Sequence, residues 1–292
     1  MAEPDDLYTL RNHFWLGNYQ MAISEGSSLG RLRSELALEK DEFVYRSYVA
    51  LGQYQVVLSE VNDNSAPSLQ AVRLLAQYLS DPSSRELVLE TLPQWLTDNH
   101  SPTLQLISAQ IYMHENDLKN ALKAVGQGVT MEHLALLVSL YLRLGRIDLA
   151  QQQLRLMQQA DEDATLTQMA QAWVLLHQGS SKLEECGYLV EELCDKFNAS
   201  TALLNALACA KMHAGQAQEA EQHLVQAASK NQNDPDTLVN MICCYQHLQK
   251  PEDFINRYVN QLKSVAPEHP YVKAMTTVEG AFDRVASTYA LS

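Results

Sequence analysis

The amino-acid sequence predicts an all-α fold, a right-handed α-solenoid built from repeated helical hairpins. Two observations support this prediction: one stretch has the pattern of a helix–turn–helix unit, and the pattern returns at a fixed period along the chain. The composition agrees with it. Leu, Ala, Gln and Glu favour helix, whereas 11 glycines and 9 prolines in 292 residues are too few for a fold that needs many tight turns.

The stretch from Thr201 to Pro235 predicts two amphipathic helices joined by a tight turn. Gly215 lies where the first helix should end, because a helix C-terminus commonly needs a positive φ, which glycine adopts at little cost. Small residues at Ala208 and Ala220 would let the two helices approach closely. This pattern is that of the tetratricopeptide repeat (TPR), and one such hairpin cannot bury both of its apolar faces, so it predicts neighbours. The apolar positions at helical spacing are Leu204, Leu207, Ala208, Ala220, Leu224 and Ala227.

The same unit recurs with a period of 35 residues. Gly52 follows Gly17 by 35 residues, and Gly215 follows Gly145 by 70, which is two periods. Asn116 can take the left-handed conformation in place of a turn glycine. We expect a single solenoid over residues 1–292 that ends in a capping helix at about 271–289. The clearest units are predicted at about 6–25, 41–61, 102–128, 131–160, 163–197, 201–235 and 236–267.

Three segments depart from this pattern. Residues 26–34 are rich in glycine and serine and predict a loop between the first two units. Residues 63–100 lack the glycine turn, and Pro93 inside their helical pattern predicts a kink or a break. In the unit at 236–267, Lys250 is expected to take the place of the turn glycine, followed directly by Pro251.

Charge and composition exclude several classes of function. The formal net charge of −14 opposes binding to nucleic acid, because each phosphate contact needs a local positive group. No apolar run approaches the ~18 residues of a membrane span, and the start, MAEPDDLYTL, is acidic and has no signal-like apolar region. Five cysteines without a CxxC pair indicate reduced thiols. We therefore expect a soluble cytosolic protein that reaches membranes only through a partner.

No constellation of residues predicts catalysis, a metal site or a cofactor. Glu219 and His223 lie four residues apart and can share one helix turn, but two ligands on one helix do not make a metal site. Cys243 and Cys244 could form a reactive vicinal pair. Cys243, however, falls on the small-residue position of the repeat, where a buried cysteine behaves as a small hydrophobe, and we favour packing. The sequence therefore predicts a protein that is not an enzyme.

A solenoid offers a long concave face, formed by the first helices of successive units, as a surface for partners. Asn205 and Asn240 are 35 residues apart and are predicted to be equivalent positions on this face. An asparagine amide both donates and accepts hydrogen bonds, so it could bind the backbone of an extended partner segment. The alternative is a pair of solvated surface asparagines. The predicted partner-binding residues are Asn205, Cys209, Met212, Asn240, Cys244 and His247.

The chain resembles the epsilon subunit family of coatomer (epsilon-COP), which belongs to the COPI vesicle coat. The resemblance runs in order over essentially the whole length, and it is much more specific than the TPR pattern. The segments that show it most clearly are SAPSLQAVRLLAQYL at 65–79, MQQADEDATLTQMAQAWV at 157–174, DTLVNMICCYQHLQKP at 236–251 and NRYVNQLK at 256–263.

The resemblance implies a non-catalytic structural subunit, a curved TPR-like array that closes around the C-terminal region of the alpha subunit of coatomer. It also implies that the assembled coat is peripheral on Golgi membranes and COPI-coated vesicles, in Golgi-to-ER retrograde and intra-Golgi transport. The alternative is a TPR adaptor that binds the acidic C-termini of chaperones. That mode needs lysine and arginine on the inner face, whereas the predicted inner positions are neutral.

Overall fold

A computed structural model describes residues 5–99, 101–126, 128 and 130–289, and every regular element in these residues is helical. The prediction of an all-α fold is confirmed. Two single 3-10 turns, Pro82–Ser84 and Ser180–Lys182, precede the sixth and twelfth helices. The helices are α1 Tyr8–Trp15, α2 Tyr19–Ser28, α3 Ser34–Ala50, α4 Tyr54–Glu60, α5 Pro67–Ser80, α6 Arg85–Asp98, α7 Pro102–His114, α8 Leu118–Val125, α9 Met131–Arg143, α10 Ile147–Ala160, α11 Thr165–Gln178, α12 Leu183–Phe197, α13 Thr201–His213, α14 Ala217–Lys230, α15 Pro235–His247, α16 Glu252–Val265 and α17 Pro270–Tyr289.

The helices fall into two compact units. Unit 1 comprises α1–α11 and ends at Gln178, and unit 2 comprises α12–α17 and begins at Gly179. Within each unit, consecutive helices pack against each other as hairpins, and the first helices of neighbouring hairpins also touch. In unit 1 the odd-numbered helices α1, α3, α5, α7, α9 and α11 each pack against the next, and α11 packs against α1. The inner helices of unit 1 therefore form a closed series.

Six helices end in the same hydrogen-bonded turn, which explains the regular hairpins. In each, one residue has a positive φ, and the next residue donates its N–H to the carbonyl five positions earlier. At the turn of α13, Gly215 has φ of 79° and Gln216 N–H reaches Lys211 O at 2.8 Å. This is the Schellman motif, which satisfies carbonyls that the helix end leaves free. The positive-φ residues are Gly17, Gly52, Asn116, Gly145, Gly215 and Gln249, so the prediction for Asn116 is confirmed.

The last hairpin corrects the predicted register by one residue. Gln249, with φ of 53°, takes the turn position that the sequence pattern gave to Lys250. As a result α15 begins 34 residues after α13, whereas α16 begins 35 residues after α14. The extra residue lies in the turn before Pro251. Proline has no backbone N–H to donate, so it is disfavoured in the interior of a helix.

This shift changes which residues are equivalent. The counterpart of Asn205 is Val239, not Asn240, and the counterpart of the buried Ala210 is Cys244. Cys244 is accordingly fully buried, whereas Cys243, the predicted packing residue, is half-buried. The predicted equivalence of Asn205 and Asn240 is therefore wrong.

Two other segments depart from the predicted pattern. Helix α2 extends to Ser28 and α3 begins at Ser34, so the predicted loop at 26–34 shrinks to five residues. Gly26 lies inside α2, where a Cβ would collide with Val44 of α3, so glycine permits the close approach of the two helices. Helix α6 runs through Pro93 without a break.

Alanines line the contacts between helices, as the repeat pattern predicts. Ala208 and Ala220 are fully buried in one cluster with Leu224 and Tyr245. A small side chain at such a crossing lets two helices pack at close range without a void or a clash. The other alanines with no exposed surface are Ala22, Ala71, Ala76, Ala109, Ala121, Ala150, Ala170 and Ala227.

We expect Ala220→Phe to lower the free energy of unfolding by roughly 1–3 kcal/mol, because the added ring has no space between α13 and α14. Urea denaturation of the two proteins measures the difference. Ala202→Phe, at an exposed position of α13, is the matched control and should leave stability nearly unchanged. Equal stability of the Ala220→Phe variant and the parent would contradict this helix crossing.

Candidate partner-binding surfaces

The asparagines predicted to bind a partner lie between two helices of unit 2 and bind each other. The Asn205 amide donates to Thr201 O at 3.0 Å and to Thr237 Oγ1 at 2.7 Å. Its oxygen accepts from Asn240 Nδ2 at 2.9 Å. The juxtaposition follows from the packing of α13 against α15, whose helix starts are 34 residues apart.

The network continues into the N-cap of α15. Asp234 Oδ2 accepts from Thr237 N at 2.8 Å and from Thr237 Oγ1 at 2.6 Å, which satisfies one of the free amides at the helix start. At the other end, Cys209 Sγ donates to Asn240 Oδ1 at 3.6 Å. These bonds join α13, α15 and the loop between their hairpins, so the polar side chains hold the repeat together.

The structure separates the six predicted residues into different roles. Asn205 and Cys244 are buried within the chain, which corrects their placement on an open face. Met212 packs against the core cluster of α13–α16. Asn240 and Cys209 are half-buried, and His247 is exposed at the end of α15. A partner-binding role for Cys209, Asn240 and His247 stays a prediction.

The cysteines of unit 2 have no feature of a reactive thiol. Burial raises the pKa of Cys209 and of Cys244 to about 11, so both are protonated at neutral pH. Cys244 Sγ donates to Ala217 O at 3.3 Å in the core. A thiol, in contrast to a thiolate, is a poor nucleophile and metal ligand. The geometry assigns these cysteines to packing.

Glu219 and Lys211 belong to a surface ion cluster. Lys211 Nζ lies 3.0 Å from Glu219 Oε2 and 3.3 Å from Glu191 Oε1, and these two carboxylates raise its pKa. Burial and the Lys211 charge lower the pKa of His223, which favours neutral imidazole. Within the described ranges, no three His, Cys, Asp or Glu side chains are grouped as a metal site would require.

Unit 1 contains a buried ion pair that the sequence pattern does not predict. Arg46 of α3 binds Glu132 of α9 through two parallel bonds, Nη2 to Oε1 at 2.7 Å and Nη1 to Oε2 at 3.0 Å. Trp15 of α1 donates its indole N–H to Glu132 Oε1 at 3.2 Å. Arg46 is 8% exposed and Glu132 is 20% exposed. Three helices distant in sequence therefore meet at one carboxylate.

The surroundings keep both partners charged. Burial opposes the charged forms, but the Glu132 carboxylate outweighs it and raises the pKa of Arg46. For Glu132, burial acts to raise the pKa, and the charge and hydrogen bonds of Arg46 together with the Trp15 bond lower it. The guanidinium carbon also lies 4.5 Å from the centroid of the Phe14 ring, a favourable cation–π contact.

These contacts close the series of inner helices in unit 1. Trp15 packs against the core of α9–α11, which Trp173 of α11 also contacts, next to its bond with Glu132. No period or motif could reveal this contact, because it joins residues 117 positions apart in different repeats. The closure fixes the first hairpin of unit 1 against its last helices.

An open groove lies beside the ion pair, at the N-terminal ends of three inner helices. The unit 1 groove has a volume of about 620 Å³ and is lined by the starts of α5, α7 and α9, with Leu38 and Phe43 of α3 on one side. Pro67 and Pro102 begin α5 and α7, and no side chain caps either helix. The first-turn N–H groups of these helices therefore remain for an acceptor or for water.

The carboxylates of the unit 1 groove already have partners. Glu39 accepts from Arg11 Nε at 2.8 Å, and Glu42 accepts from Thr103 Oγ1 at 2.6 Å. Ser68 Oγ is buried at the groove and has no hydrogen-bond partner among the described residues. The groove thus offers apolar surface and donor groups, a combination that suits the backbone carbonyls of an extended segment.

Comparisons with known proteins identify the family. The sequence model of the family described as the coatomer epsilon subunit matches residues 3–290. Coatomer subunit epsilon-1 of Arabidopsis thaliana is 43% identical over 99% of both chains. The chain belongs to the coatomer epsilon subunit family. The resemblance inferred from the sequence segments is therefore confirmed.

Further comparisons agree. Coatomer subunit epsilon-1 of Oryza sativa subsp. japonica is 44% identical over 97% of this chain and 98% of that protein. Coatomer subunit epsilon of Caenorhabditis elegans is 32% identical, again over 97% of this chain and 98% of that protein. A tetratricopeptide repeat protein of Parabacteroides merdae aligns with a TM-score of 0.61 at 13% identity, covering 88% of this chain and 96% of that one. A chain of the APC/C hetero-tetramer Cut9–Hcn1 also aligns with a TM-score of 0.61, at 16% identity, covering 89% of this chain and 52% of that one. The solved structures confirm the TPR-like fold.

Among the described residues, none of the helices combines the length and apolar character that crossing a bilayer requires.

We expect Asn205→Asp to lower the free energy of unfolding by roughly 1–3 kcal/mol. A carboxylate cannot donate to Thr201 O and Thr237 Oγ1, and it would face Asp234 Oδ2, which lies 3.4 Å from Asn205 Nδ2. Chemical denaturation checks the value, with Asn256→Asp at an exposed position of α16 as the matched control. If both variants lost the same stability, the network would not have the role assigned to it.

We expect Glu132→Gln to lower the free energy of unfolding by roughly 3 kcal/mol at neutral pH, because it leaves the Arg46 charge buried and unpaired. The partial exposure of Glu132 places this value at the low end of the range for buried ion pairs. The folded-state pKa of Glu132 is lowered, so its contribution is complete above the ordinary carboxyl pKa of about 4.3 and is lost as pH falls through the folded-state value. The stability gap between the parent and the variant should therefore narrow on acidification.

Denaturation at several pH values measures this gap. Asp148→Asn, which removes the exposed ion pair with Arg146, is the control and should have little effect. A gap of the same size at pH 7 and pH 3 would rule out the ion pair as its cause.

Proposed function

We propose that this chain is a non-catalytic structural subunit of the COPI coat that binds and stabilises the C-terminal region of the alpha subunit of coatomer. The observation that supports it is membership of the coatomer epsilon subunit family over nearly the whole chain. In this proposal the chain is cytoplasmic, reaches Golgi membranes and COPI vesicles through the assembled coat, and acts in Golgi-to-ER retrograde and intra-Golgi transport.

The unit 1 groove is the surface proposed to hold the alpha subunit. The uncapped starts of α5 and α7 present N–H groups, and Leu38 and Phe43 provide apolar contact beside them. An extended segment would pair its backbone carbonyls with those N–H groups, and its apolar side chains would pack on the groove wall. Because Arg46 and Glu132 fix the surrounding helices, the groove is preformed, which reduces the entropy lost on binding.

The charge of the groove disfavours acidic C-termini as ligands. Glu39, Glu42 and Glu132 all lie on its lining, where Arg11 is the basic residue. Recognition of a carboxylate terminus needs an excess of cationic groups that can pair with it. The groove therefore fits an extended segment better than the acidic tail of a chaperone.

Co-expression with the alpha subunit tests the proposed partner. The full chain should co-purify with the C-terminal region of the alpha subunit as a stable complex in size-exclusion chromatography. Failure of the two proteins to co-purify, with each one folded, would contradict the proposal.

Leu38→Arg tests the groove itself, because an arginine would fill it and add a charge to its apolar wall. Leu38 is half-buried, so the fold should tolerate the change. We expect the affinity for the alpha-subunit region to fall roughly tenfold or more, as measured by calorimetry. The matched control is Leu87→Arg on α6, which is exposed outside the groove and should bind like the parent. Equal affinity of both variants would place the partner elsewhere.

A further inference from the structure

The last helix exposes a line of large apolar side chains. Val278, Phe282, Val285 and Tyr289 of α17 are 67%, 70%, 57% and 80% exposed. They lie at steps of four, three and four residues, so they share one face of the helix. Other exposed large apolar residues, such as Tyr188, stand singly on their helices. Single exposed residues are ordinary, whereas a contiguous line indicates a surface that is covered by something.

The spacing of this line identifies the kind of structure that covers it. With Tyr271 and Met275 it continues toward the start of α17, giving steps of 4, 3, 4, 3 and 4 residues over 19 positions. This is the a and d pattern of a heptad repeat, in which each side chain inserts between four residues of a facing helix. Ala274 and Ala281 flank the line at positions where large side chains would keep a second helix away. The line therefore fits an α-helix.

The N-terminal half of the line is already packed within unit 2. Tyr271 and Met275 contact the core cluster of α15 and α16, in which Val272 is buried. The ion pair of Lys263 with Glu279, at 3.6 Å, also joins α16 to α17. The uncovered half, Val278 to Tyr289, lies beyond this cluster and is here called the α17 seam. The α17 seam therefore continues the same apolar line, whose first half is covered by α15 and α16 of the chain itself.

A second copy of the chain does not suit the α17 seam. Two aromatic and two valine side chains at these exposures offer on the order of 500 Å², below the roughly 800 Å² per partner of a standard stable interface. Each copy also has a formal net charge of −14, which opposes self-association. A small apolar seam binds well when another contact already holds its partner nearby, because the effective concentration is then high.

We propose that the α17 seam binds one amphipathic α-helix, with apolar residues at heptad spacing, from another subunit of the coat. This proposal rests on the role as a coat subunit proposed above but not on the unit 1 groove, which is a different surface. It adds a second point of attachment of a different kind, helix against helix instead of groove against extended segment.

Hydroxyl-radical footprinting of the full chain, free and within purified coatomer, tests the seam. We expect oxidation of Phe282 and Tyr289 to slow several-fold in the complex, while the equally exposed Tyr188 of α12 serves as the internal control. A photo-reactive residue in place of Val285 should then cross-link to a peptide of another coatomer subunit whose apolar residues follow the heptad spacing.

Variants test the energetics of the same contact. Phe282→Asp should weaken retention of the chain in coatomer roughly tenfold or more, whereas Ser287→Asp, on the opposite side of α17, should not. Both positions are exposed, so thermal stability of the free chain should be unchanged.

Three results would overturn the proposal: unchanged oxidation of Phe282 and Tyr289 in the complex, a cross-link between two copies of this chain, or a cross-link to a segment without helical apolar spacing. If Leu38→Arg releases the chain from coatomer but Phe282→Asp does not, the seam proposal alone fails. A chain that never enters coatomer would overturn both proposals.

Discussion

A helical hairpin cannot bury both of its apolar faces, and this constraint governs the whole chain. Inside each unit the next hairpin covers the open face, so the pattern repeats and needs only small residues at the crossings and a positive φ at the turns. The constraint becomes severe at the two ends of the described chain. At the start, α1 is covered by α9 and α11 of its own unit. At the end, the first turns of α17 are covered by α15 and α16, and the apolar side chains of its later turns are exposed.

The closure of unit 1 depends on specificity more than on net stability. Apolar packing of Trp15 against the core of α9–α11 is compatible with many similar arrangements of α1, because apolar contacts have little directional preference. The two parallel bonds between Arg46 and Glu132 form in only one arrangement of α3 and α9, and any other arrangement would leave a buried charge unpaired, which is costly. That arrangement also determines the shape of the unit 1 groove at the starts of α5, α7 and α9.

The sequence predicts the hairpins well because their determinants are local. Glycines at the turns, alanines at the crossings and apolar steps of three and four residues all act within about 35 residues. The prediction failed by one residue at Gln249, because a polar residue with a positive φ has no clear signal and a period alone cannot place an insertion. The contact between Trp15 and Glu132 could not be predicted, since it depends on how far successive hairpins rotate, which is the sum of many small packing angles.

The same distinction explains why the predicted binding residues and the groove differ. Asparagines on an inner helix suggest a surface for a partner, but here Asn205 and Asn240 bind each other, and Asn205 also donates to Thr237 in the first turn of α15. A polar side chain indicates a binding surface only when its hydrogen bonds are not completed within the fold. The starts of α5 and α7 meet this condition, because their free groups belong to the backbone and Pro67 and Pro102 leave no side-chain cap. In the proposed complex these backbone groups, and not the polar side chains of the inner helices, would bind the partner.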